Sequence, residues 1–182
     1  MNLSRKDKIC GSLIGGAIGD ALGYPVEFAS YSNIKSMFGE NGITRFVLNN
    51  NGVAEISDDT QMTLFTANGL LYGITRFCMR GIGSDLFNYV AIAYDEWLQT
   101  QMELPLEDEW HTCWIRNISA LNSRRAPGNT CLSALTALRE QKAVSNNSKG
   151  CGGVMRAVPI GLLSGVARGK ETIDIACDCA AM

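Results

Sequence analysis

Residues 5–23 read RKDKICGSLIGGAIGDALG, and this stretch decides the fold class. Ile14, Ala17, Ile18 and Leu22 recur at helical spacing, while Gly11, Gly15, Gly19 and Gly23 recur every fourth residue on another side. Glycine costs about 1 kcal/mol relative to Ala at an interior helix position, so the missing side chains must serve something. Two uses are open: close packing against another helix, or a ligand lying against the bare backbone.

Outward from there, helical periodicity continues. Residues 24–55 read as loop, punctuated by Pro25, Gly39, Gly42 and the run Asn49 to Gly52, with only Ile43 to Leu48 suggesting an extended piece. A second helix is expected from just after Ser57 to about Tyr72, with Met62, Phe65, Gly69 and Tyr72 on one face. A third covers about Ser84 to Thr100, with Leu86, Val90, Ala93 and Trp97 as its apolar stripe, and Pro105 closes the loop after it. A short helix is expected over 107–121 and another from a cap at Asn129 or Thr130 to about Ala143. A glycine-rich loop from Ser145 to Gly153 precedes helical stretches at 154–168 and 171–182. No strand alternation is long enough for a sheet, so the class is all-α.

A chain of 182 residues is one domain or part of a larger one. Sixteen basic against eighteen acidic residues leave no field for steering onto nucleic acid. No run of about 18 uncharged apolar residues is present, which excludes a transmembrane helix on that criterion. The start, MNLSRKDK before ICGSLIGGAIG, imitates a signal peptide, but its glycines and Asp20 weaken the apolar region. Seven scattered cysteines do not form a disulfide framework; reduced thiols in a cytoplasm are expected.

Ser57-Asp58-Asp59-Thr60 is the sharpest local feature. As a plain helix start, Ser57 is the N-cap and the acids complement the helix dipole. As a site, two adjacent carboxylates and a hydroxyl form a hard-oxygen cluster suited to Mg²⁺ or Mn²⁺. Asp20 reads as a cap or pairing partner at a helix end. Glu27, after Pro25, is either a solvated loop acid or a mobile general acid or base. The glycines of Asn146 to Arg156 would let backbone N–H groups converge on an anion, though the spacing is not that of a P-loop. Arg125 before Pro127-Gly128-Asn129 repeats that theme. His111 reads as a satisfied or exposed histidine, Cys177-Asp178-Cys179 is too isolated for a metal site, and Trp97, Trp110 and Trp114 read as core.

In order along the chain, four segments resemble the ADP-ribosylglycohydrolase family, which includes the dinitrogenase reductase-activating glycohydrolases. They are Ile14 to Gly23, Ser57 to Thr63, Pro127-Gly128-Asn129-Thr130, and Gly150 to Gly161. The resemblance implies a compact multi-helix fold around two Mg²⁺ or Mn²⁺ ions, and hydrolysis of the bond between ADP-ribose and a modified side chain or small acceptor. By position, Ser57, Asp58 and Asp59 would be metal ligands, and Glu27 and Asp59 catalytic. Ser148, Gly150, Cys151, Gly152 and Gly153 would receive the ADP-ribose. The family completes its metal site with a downstream Asp-x-Asp-Thr segment that these residues lack. The chain is therefore expected to be the N-terminal part of one such domain, spanning 1–182, with weak metal binding and little activity alone. Homo-oligomerisation or a complementing C-terminal chain is expected, with an ADP-ribosylated protein or small molecule as substrate, and no membrane or nucleic acid. Two readings from other classes stand beside it: a non-catalytic ADP-ribose-binding module, and a structural protein in which Asp58 and Asp59 are only helix-start acids.

Overall fold

The computed structural model describes residues 3–102, 111–144, 147–163 and 169–182. Among the described residues eight α-helices follow one another: α1 (Arg5–Gly23), α2 (Tyr31–Phe38), α3 (Asp58–Arg80), α4 (Leu86–Gln101), α5 (Asn129–Arg139), α6 (Gly152–Met155), α7 (Val158–Gly161) and α8 (Gly169–Ala181). Short 3₁₀ turns occupy Tyr24–Val26, Trp114–Asn117 and Ser119–Leu121. Among the described residues the only β pairing is a bridge between Leu48 and Ala54, closing a turn at Gly52, whose φ of 73° suits glycine. The class is all-α, as expected.

α3 and α4 form the centre. Met62 and Phe65 of α3 and Val90, Tyr94 and Trp97 of α4 are fully buried against one another, joined by Leu135, Ile160 and Ile175 from α5, α7 and α8. Burial of one such aliphatic or phenyl side chain contributes roughly 1.5–3 kcal/mol. The two helices approach closely because glycines seat them. A Cβ on Gly69 would lie 2.7 Å from the Tyr89 carbonyl oxygen, and one on Gly73 would lie 2.5 Å from the Tyr89 ring. Gly73 thus extends α3 where a stop after Tyr72 was expected, and the helix runs on to Gly81, left-handed at φ 63°. The buried Glu96 of α4 accepts from the Thr112 amide (2.7 Å), the Thr112 hydroxyl (2.6 Å) and the Cys113 amide (3.1 Å), holding the next segment onto the core.

Several expectations need correction. Residues 31–38 form α2 rather than loop, with Ser30 as its N-cap and Gly39 (φ 83°) as its stop; the helix buries no residue, so it carries no apolar signal. The described part of 107–121 is 3₁₀ turns, not a helix, and Trp114 is 59% exposed rather than core. Trp97 is buried as expected and His111 is exposed, while Trp110 lies outside the described residues. α5 follows Gly128 with no side-chain cap bond and ends at Arg139, because Gln141 turns the chain at φ 56°. The described part of 154–168 is two single turns, α6 and α7; Pro159 sits in the first turn of α7.

α1 departs most. Ile14 and Ile18 are 59% and 52% exposed, and Ala21 is the helix's one buried residue. By length and mean hydropathy, residues 5–26 are long and apolar enough to cross a membrane, which the criterion of an uncharged run had excluded. Its glycines do not serve close packing among the described residues: a Cβ on Gly11, Gly15, Gly16, Gly19 or Gly23 would meet nothing within 4 Å.

Candidate functional site

α1 touches the core mainly where its last turn meets the start of α3. There the Asp20 carboxylate accepts from the Ser57 amide (2.9 Å), the Thr60 amide (3.2 Å) and the Thr60 hydroxyl. Asp20 caps a helix, as its type suggests, but the helix belongs to a segment 37 residues away. Ser57 is the N-cap residue proper, its hydroxyl accepting from the Asp59 amide at 3.1 Å. The Asp58 amide donates to the Arg125 carbonyl (2.9 Å), and the Gly128 amide donates to Asp58 Oδ2 (3.2 Å). α3 therefore begins with its acids held from two directions.

Asp58 is 4% exposed, and burial pushes its carboxyl up to about 6, helped by the charges of Asp59 and Glu27 and opposed by the Gly128 amide. Asp59 is raised by burial and by Asp20; Glu27 is raised by burial and then by Asp59 and Asp20. Four carboxylates thus bear on one another, and among the described residues no basic side chain offsets the charge on Asp59 or Glu27. Arg125 is paired elsewhere, with Glu55 at 2.7 Å.

Two clefts flank this acidic junction. One, of about 540 Å³, runs along the bare backbone of Gly15, Gly16, Gly19 and Gly23 and is walled by Asp20, Glu27, Ser57 and Asp59. The other, of about 770 Å³, is bounded by Asp58, Gly128, Ser148, Gly150, Gly152, Gly153 and α8. Glu27, Asp59, Cys151 and Met155 border both. Gly15, Gly16, Gly19 and Gly23 of α1 face this first cleft, and among the described residues no helix packs against them.

The family model for ADP-ribosylglycohydrolases matches residues 1–182. The chain belongs to the ADP-ribosylglycohydrolase family. An uncharacterized protein of Escherichia coli (strain K12), YegU, is similar at 30% identity over 170 residues, 87% of this chain. The chain spans 42% of that relative's length. No solved structure matches.

Each residue expected at the site borders one of the two clefts: Glu27, Ser57, Asp58, Asp59, Ser148, Gly150, Cys151, Gly152 and Gly153. Two of the loop glycines have a structural reason to be small. A Cβ on Gly152 would lie 2.8 Å from Cys131 Sγ, and one on Gly153 would lie 3.0 Å from the Ala180 Cβ. The helix after the loop lasts one turn, so its dipole adds little for an anion. α6 is fixed to α3 instead by the Thr63 hydroxyl, which donates to the Met155 carbonyl (2.7 Å).

Among the described residues no group of three or more His, Cys, Asp or Glu could hold an ion by itself. The donor chemistry nonetheless suits a hard divalent cation: a hydroxyl and two carboxylates whose negative charge is disfavoured by burial and by one another. Asp58 keeps one oxygen beyond that taken by the Gly128 amide. The residues fit part of an ion's shell. Thr60, Gln61, Thr63, Arg125 and Gly128 lie within segments that the sequence marks, but the places they take at the site do not follow from it. Their roles are contacts made across 40 to 92 residues, which no local pattern carries.

Proposed function

We propose that this protein acts in the metal-dependent hydrolysis of ADP-ribosyl linkages, releasing ADP-ribose from a modified side chain or small acceptor. The observation that carries the reading is the acidic junction of Asp20, Glu27, Asp58 and Asp59, short of positive charge and bordered by both clefts. Membership of a hydrolase family supports it.

In this reading Ser57, Asp58 and Asp59 hold Mg²⁺ or Mn²⁺, which when bound supplies Lewis-acid polarisation and a water of lowered pKa. Cleavage at the ribose anomeric carbon develops positive charge that nearby carboxylates stabilise. Glu27, raised by burial and by its acidic neighbours, is suited to accept a proton from water and return it to the leaving group. The larger cleft receives ADP-ribose along Ser148, Gly150, Cys151, Gly152 and Gly153. Binding there, remote from the reacting bond, orients the ribose over the acids. Two ions, contributions from another chain or a second copy, and a cytoplasmic setting complete the proposal.

The test is calorimetric titration with Mn²⁺ and with ADP-ribose, each in the presence and absence of the other, alongside release of ADP-ribose from ADP-ribosylated peptides. Metal affinity that rises with ADP-ribose and falls in Asp59→Asn supports the reading, as does turnover abolished by EDTA. ADP-ribose binding indifferent to metal refutes it in favour of a non-catalytic binding module. Absence of binding by either ligand also refutes it.

A further inference from the structure

Behind the acidic junction lies a buried pair of amides. Gln61 sits one turn after Asp58 on α3, and Gln101 ends α4; both are fully buried. Gln61 Nε2 donates to the carbonyls of Ser123 (2.8 Å) and Leu121 (3.3 Å). Its Oε1 accepts from Trp97 Nε1 (3.2 Å) and Gln101 Nε2 (3.1 Å). Gln101 Nε2 also reaches the Thr100 hydroxyl (2.9 Å), and Gln101 Oε1 accepts from the Arg125 amide (3.4 Å). The Arg124 guanidinium donates to the Gln101 carbonyl (3.1 Å).

These bonds fall on the backbone of one segment. Leu121, Ser123 and Arg125 are each gripped by the amide pair, and the chain then turns at Ala126, whose φ is 51°. On its far side the same segment meets Asp58 twice, accepting from its amide at Arg125 and donating to its carboxylate from Gly128. An apolar pair would fill the same space but grip no backbone atoms. The amides provide register, which a hydrocarbon contact lacks.

We propose that Gln61 and Gln101 are positioning residues for Asp58. They hold residues 121–128 in one place, so that the Arg125 carbonyl and the Gly128 amide set the position of the carboxylate. The ion-binding consequence rests on the function proposed above; the placement of Asp58 does not.

The experiment uses Gln101→Met, which keeps length and volume but no amide, and Gly128→Pro, which deletes the N–H at a residue whose φ of −61° a proline adopts. Amide hydrogen exchange and Mn²⁺ affinity are read on each variant and on the double variant. Gln101→Met should speed exchange at Asp58 and Gly128 by about tenfold relative to Phe65, and weaken Mn²⁺ by about tenfold, the scale of outer-shell changes. Gly128→Pro should weaken Mn²⁺ similarly, and the double variant should be no worse than either alone. Unchanged exchange at Asp58 and Gly128, or strictly additive losses, overturns the proposal. If Gln101→Met does not fold, the wild-type protein decides. The Asp58, Arg125 and Gly128 amides must then open as one unit, and separate opening overturns it. Selective loosening in a protein whose wild type takes up no Mn²⁺ upholds the positioning role and refutes the ion-binding function. Mn²⁺ uptake unaffected in the variant does the reverse.

Discussion

Replacing Asp58 with Asn tests whether the acidic junction is held against its own interest. Burial raises this carboxyl from an ordinary 3.8 to about 6, a displacement that corresponds to about 3 kcal/mol. The folded protein therefore binds the proton more tightly than the unfolded chain between about pH 4 and pH 6. The favourable contribution is complete below the unfolded value and is lost as pH rises through about 6. Asp59 and Glu27, also raised, add slopes of the same sign. The side-chain amide of the Asp58→Asn variant would not titrate, and its oxygen can still accept from the Gly128 amide. In EDTA at pH 8 the variant should be more stable than the wild type by about 2 kcal/mol, after allowing for an amide NH₂ that needs a partner. For a chain of this size that raises Tm by roughly 4–8 °C. Urea unfolding of both proteins at pH 5, 6, 7 and 8 provides the assay. Equal or lower stability of Asp58→Asn at pH 8, or a wild-type curve that is flat from pH 5 to 8, would refute the reasoning.

Two further perturbations address the framework. Asp20→Ala removes three hydrogen bonds to the start of α3 and should cost about 2–3 kcal/mol in urea unfolding, with Asp20→Asn losing roughly half as much. A loss under about 0.5 kcal/mol would mean that α1 is not secured there. Gly69→Ala gains helix propensity but drives a Cβ to 2.7 Å from a backbone carbonyl; the net effect should be destabilising by about 1–3 kcal/mol, whereas a stabilised variant in the same assay would show that α3 and α4 have room to part.

Much of this arrangement is legible in one dimension. The bounds of α1 and the start of α3 follow from periodicity and from Ser57, because both signals are local. The end of α3 does not: periodicity carries it only to about Tyr72, and the helix continues past Gly73, whose bare backbone packs against the Tyr89 ring. α2 escapes notice because it buries no residue, though Ser30 and Gly39 mark its ends. At the site, Ser57, Asp58, Asp59 and Glu27 are recognisable from their types and motif. Asp20 is recognisable as a cap but not as the cap of α3. Gly128 meets Asp58 across 70 residues and Gln61 meets Gln101 across 40, and both pairings exist only once the helices are packed.

The glycine seat between α3 and α4 also acts as a fulcrum. Asp58 lies 11 residues from Gly69 along one unbroken helix, a lever arm of about 16 Å at about 1.5 Å per residue. A tilt of about 5° at the seat swings the acidic end by about 1.4 Å, a displacement on the scale that can cost an enzyme about a hundredfold in rate. Crowding the seat by even one methyl group would therefore reach the carboxylates through the rod itself, displacing the acidic end while the helices remained folded.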